Sequence, residues 1–180
     1  MNLGMVTSTV IGGLLLLGIL TLNTRMASES DYSTMNQITK SNIGAVADFV
    51  EYDFRKVGYN ASDPKIITAD STEFVFKADI DDNGTEDQIR WEYTTNGVSA
   101  TKNPDDRLLV RVMNGDQTDI TRGVTDFDLT YYDKENKETN TPTDVSDIEV
   151  FIEVQSPAPI DGEYITTSWQ KRFAPWNIQN

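Results

Sequence analysis

The residues best placed to do chemistry lie in Asp79-Ile80-Asp81-Asp82-Asn83-Gly84-Thr85-Glu86-Asp87. Oxygen-bearing side chains at Asp79, Asp81 and Asn83, followed by Gly84 and a further acid at Asp87, match the first half of a calcium loop. Ca²⁺ takes several oxygen ligands at once, and the glycine allows the chain to turn sharply between them. These four residues form a candidate calcium site, and Ca²⁺ is the one cofactor the sequence suggests. Twelve positions along, counting Asp79 as the first, stands Arg90, where the standard loop places a bidentate Glu. The alternative is an Asn-Gly hairpin turn between strands Glu73–Lys77 and Gln88–Thr94, decorated with solvated acids.

Other chemistry is narrowed by what the chain lacks. It contains neither Cys nor His, so thiolate nucleophiles, disulfides, Ser-His-Asp triads and His-based metal centres are excluded. The pairs Asp105/Asp106 and Asp126/Asp128 have the type needed for acid/base work, but nothing in the sequence around them predicts a pocket. No enzyme activity and no small-molecule substrate are expected. With 15 Lys+Arg against 29 Asp+Glu, the formal charge is −14, which repels phosphate backbones, and no nucleic-acid partner is expected. Trp91, Trp169 and Trp176 are expected in core or sheet-face packing.

The elements that must position these residues begin with the stretch from Met5 to Val57. Met5 to Leu22 is apolar, and the first charge in the chain is Arg25. Such a run is long enough to span a bilayer if its threonines bond back into the helix. Beyond Arg25, apolar residues recur at Met35, Ile38, Ile43, Val46, Phe49, Val50, Phe54 and Val57, mostly three or four apart, which is one face of a helix. No proline interrupts the run. The spacing predicts one helix of about 53 residues, roughly 80 Å long, ending at the basic pair Arg55-Lys56 with Gly58 as its cap.

From Lys65 the period changes to that of strands: Ile66–Ala69, Glu73–Lys77, Gln88–Thr94, Leu108–Met113, Val124–Asp133, Ser146–Gln155 and Tyr164–Phe173. Thr94–Arg107 and Lys134–Asp144 are expected as exposed loops. The fold class is α+β: a long N-terminal helix, half membrane and half amphipathic, packed on a mostly antiparallel sheet. Residues 1–25 form a leader and transmembrane helix, 26–58 its amphipathic continuation, and 59–180 a β-rich globular head.

Several stretches together resemble one family, the type IV pilin-like minor pilins and pseudopilins, in particular the PilW-type minor pilins and the minor pseudopilins of type II secretion. Glu51-Tyr52-Asp53-Phe54-Arg55-Lys56-Val57-Gly58-Tyr59 resembles the pattern that ends the long helix in that family. Leu109–Val112 with Asn114-Gly115, the run Gly123–Asp133, and Gln170–Ile178 with Pro175-Trp176-Asn177 are similar to its late strands and closing segment. The resemblance implies a pilin-like fold and a prepilin peptidase site between Gly4 and Met5. It also implies a structural subunit that initiates, caps or regulates a pilus or secretion filament. Partners would then be other pilin-like subunits, met through the N-terminal helix, and the membrane. The location implied is a single pass of the cytoplasmic membrane with the head outside, in a pilus or pseudopilus at the cell surface. The chain departs from the pattern where Met1–Gly4 lacks a basic residue, where Met5 replaces Phe, and where Thr9 replaces the glutamate five residues into the mature chain. A neutral Thr9 removes the pairing that glutamate makes with a neighbouring N-terminus while avoiding a carboxylate in lipid, which suits a tip or accessory subunit. The competing expectation is a membrane-anchored extracytoplasmic binding or adhesion domain that does not polymerise.

Overall fold

The structure is a computed structural model that describes residues 3–99 and 101–179. The apolar run and the amphipathic stripe form one uninterrupted helix, α1 (Leu3–Arg55), of 53 residues. Its second half buries Thr39, Ile43, Val46, Ala47, Val50, Asp53 and Phe54, a stripe that recurs every three or four positions as an α-helix pitch requires. Ile38 and Phe49, expected on that stripe, are exposed instead, because the stripe rotates with the helix and they sit at its margin. The helix tightens into a last turn through the bonds Lys56 N–H to Asp53 O and Tyr59 N–H to Lys56 O. Gly58 then reverses the chain at φ +75°, and its N–H donates to the Lys77 carbonyl at 2.9 Å, so the helix end is docked on the sheet.

Among the described residues eight strands follow: β1 (Ile66–Ala69), β2 (Glu73–Ala78), β3 (Asp87–Gly97), β4 (Arg107–Met113), β5 (Asp116–Ile120), β6 (Val124–Tyr132), β7 (Asp147–Gln155) and β8 (Thr166–Phe173). All pairings are antiparallel between sequence neighbours. They form two meanders, a sheet ordered β1-β2-β3-β4-β5 and a second ordered β6-β7-β8. The architecture is therefore the expected α+β, with two corrections. β5 was not expected, and β3 runs three residues into a stretch expected to be loop. The break between the sheets falls at Gly123, whose φ of +74° turns the chain. A Cβ built there would lie 2.5 Å from the Gln155 carbonyl oxygen.

Phe54 ties helix to head. Its ring lies 5.2 Å from Phe74, 6.2 Å from Phe76, 6.3 Å from Trp91 and 5.7 Å from Phe173, centroid to centroid. It thus touches both sheets at once. Trp91 is fully buried and stacks on Phe127 across the inter-sheet space, and Trp169 packs against the core. Trp176 departs from expectation and is 74 % exposed.

Candidate metal site

The acidic stretch occupies the connection between β2 and β3. Ala78 and Asp87 form the last registered pair of that hairpin, so Asp79 leaves one strand where Asp87 enters the other. Both side chains point inward and are buried, whereas Asp81 is exposed. Carboxylate oxygens of Asp79, Asp81 and Asp87 come within 4.8 Å of one another, a spacing at which one divalent cation can be shared. The connection is longer than the two-residue Asn-Gly turn, and Asp82 and Gly84 both take positive φ.

Each acid already has a structural task. Asp79 accepts the Asn83 N–H at 3.0 Å on one oxygen, and the Gly84 N–H at 2.9 Å and the Asn60 amide at 3.1 Å on the other. Asp87 accepts the Ile80 N–H at 3.0 Å and the Asn114 amide at 2.6 Å. Asp81 accepts both the backbone and the side-chain N–H of Asn83. The expected ligand Asn83 therefore works as a turn-former, its own oxygen taken by the Thr85 N–H at 2.7 Å. Three of the four expected ligands converge and the fourth braces them. Arg90, in the position of the missing Glu, pairs with Glu92 and Glu73 on the sheet surface.

Local charge is partly offset by two lysines. Lys56 reaches from the helix end to Asp82 at 2.7 Å and to the Ile80 carbonyl, which also accepts the Tyr52 hydroxyl. Lys77 pairs with Glu86 at 3.2 Å. The hydrogen bond from Asn60, helped by the Gly84 and Asn83 N–H groups and the Lys56 charge, holds the Asp79 carboxyl below the usual range. The backbone and hydroxyl of Ser62, with Lys77, bring Glu86 down to about 2. Asn60 and Asn114 were missed in sequence because they lie far along the chain from the acids they serve. The one available signal for them was their place in turns.

A second polar cluster joins α1 to the sheet. Asp53, buried in the helix–sheet seam, accepts the Trp91 indole N–H at 2.9 Å and a bidentate fork from Arg111 at 2.6 and 3.0 Å. Here the signal was in the sequence: an acid within the apolar stripe between Val50 and Val57.

The N-terminal half of α1 stands clear of the head. Val6, Val10, Ile11, Leu14–Leu17, Ile19, Leu20 and Leu22 are all exposed, and the helix is long and apolar enough to cross a membrane. Thr7, Thr21 and Thr24 return their hydroxyls to the Gly4, Leu17 and Leu20 carbonyls, which hides their polarity. The helix runs through Gly4 and Met5, the expected cleavage position. Asp126 and Asp128 alternate along β6, on its outward side. Neither protein-family models nor curated proteins give a match to this chain.

Proposed function

We propose that the protein is a minor pilin-like or pseudopilin-like subunit that inserts in the cytoplasmic membrane, carries its head outside the cytoplasm, and helps initiate, cap or regulate a pilus or secretion filament. One observation supports this above the rest: the apolar segment and the head's central packing element are the same continuous helix. A flexible tether would suffice for a lone anchor. A rigid helix instead fixes the position of the head relative to whatever packs around the membrane segment, as assembly of a filament from such helices requires. The role is structural rather than catalytic. Mass spectrometry of the chain from its native membrane tests it: a mature N-terminus at Met5 supports processing and assembly. An intact Met1 on a chain that behaves as a monomer favours the anchored binding or adhesion domain.

We also propose that the β2–β3 connection takes Ca²⁺, held by Asp79, Asp81 and Asp87. The support is the convergence of three carboxylates, two of them buried, in a turn whose shape is already fixed by hydrogen bonds. With three carboxylates and no closing Glu, binding in the weak range of about 10⁻⁴ to 10⁻³ M is expected. At 1 mM ion, roughly 1.4 kcal/mol of stabilisation follows for a Kd near 10⁻⁴ M.

A further inference from the structure

Asp106 is wholly buried where the two sheets meet. One carboxylate oxygen accepts the Thr101 hydroxyl, and the other has no hydrogen-bond partner among the described residues. That free oxygen lies against Gly123, 3.7 Å from where a Cβ would stand. The neighbouring Arg107 guanidinium donates to the carbonyls of Pro104 and Asp106 itself rather than to that oxygen, and acts on it only through its charge. The carboxyl is covered by a set of bonds between Thr101–Asp106 and the end of β7 with the segment that follows it. Lys102 N–H donates to Pro157 O, the Asn103 amide to the Gln155 side chain and the Ser156 carbonyl, and the Tyr164 hydroxyl to Lys102 O. The charged groups around the junction are Asp105 and Arg107 beside Asp106 itself, with Asp126 of β6 and Glu153 of β7 facing the nearby Tyr93.

An ionised carboxylate with one bare oxygen is costly in such a place, and the neutral acid costs far less. We propose that Asp106 is a proton-operated latch: its carboxyl is neutral while Thr101–Asp106 is seated on the segment after β7, and its ionisation releases that loop and loosens the junction of the two sheets. Burial, reinforced by Asp105 and opposed by the Thr101 bond and Arg107, raises the carboxyl above its ordinary value of 3.8. The seated form therefore binds the proton more tightly than the released form. The latch is most secure below about 3.8 and weakens as pH rises through the raised value.

The test is hydrogen exchange of the full chain in detergent micelles between pH 4 and 8, expressed as protection factors corrected for intrinsic rates. The amides to follow are Val98 and Lys102, bonded to Asp106 O and Pro157 O, and Ser156, bonded to Ile165 O. In the wild type their protection falls with rising pH, about tenfold for each unit by which the seated carboxyl is raised. Asp106→Asn keeps the acid-form protection up to pH 8, and Asp105→Asn moves the fall to lower pH without removing it. Parallel profiles for wild type and Asp106→Asn overturn the proposal. So does loss of protection in Asp106→Asn at every pH, which would mean an ionised acceptor holds the loop. An Asp105→Asn chain that loses the pH dependence while Asp106→Asn retains it would also overturn it.

Discussion

Asp53 is the residue on which the helix–head seam turns. Its carboxylate is buried with three donors aimed at it, so removing it strands both the Arg111 charge and the Trp91 N–H. Asp53→Ala is expected to cost about 3–5 kcal/mol, as breaking a buried pair does, and chemical denaturation of the full chain in mild detergent measures it. Arg111→Met, which removes the cation and leaves the carboxylate with the indole, is expected to cost a similar amount, and the double variant less than the two losses added. In the sequence Asp53 stood out only as part of the helix-end motif, with no role assigned to it, and its partner was hidden because Arg111 lies 58 residues away. At the head's surface, Glu86 contributes stability of the opposite pH sense to Asp106. Its carboxyl is lowered from 4.5 to about 2, so its contribution is present above 4.5 and is lost as pH falls through about 2. The difference in melting temperature between wild type and Glu86→Gln should therefore be constant near neutrality and shrink only on that acid limb.

Among the elements, α1 was read closely from its sequence because period, absence of proline and the Gly58 cap all agree. Gly58→Ala is expected to destabilise by about 1–2 kcal/mol, since φ is +75° and the new Cβ would meet Ile178 and Lys65 at 3.0 and 3.1 Å. A thermal melt against wild type checks this. The β5 strand was illegible: Asp116-Gln117-Thr118-Asp119 is polar and exposed on a sheet edge, and its pairing with β4 is specified by the Asn114-Gly115 turn rather than by alternation. The division into two sheets was equally hidden, because it rests on the space available at Gly123 and not on composition. In the β2–β3 connection the acids were legible as a group, but which of them face one point depends on backbone N–H groups that no motif records. Calcium at 1 mM should raise the melting temperature of the wild-type chain by a few degrees over chelator, and Asp81→Ala should abolish the rise. Identical wild-type melts in both conditions would reduce the connection to a hydrogen-bonded turn.

At the scale of the whole molecule, a head of strongly acidic composition is carried on a helix whose first half, among the described residues, buries nothing within the chain. Leucines left exposed over several turns have no place in water, and the adjoining half of the same helix is locked into the core at Phe54 and Asp53. That combination makes one helix long and apolar enough to cross a membrane in its first half and the structural spine of the head in its second. The measurement that bears most directly on the proposed assembly is site-specific photo-cross-linking from Leu17, at mid-span, in the native membrane. The proposal predicts adducts with chains that themselves begin with an apolar helix of this kind, captured together with the head facing away from the cytoplasm. A chain that cross-links only to lipid and extracts as a monomer would contradict it.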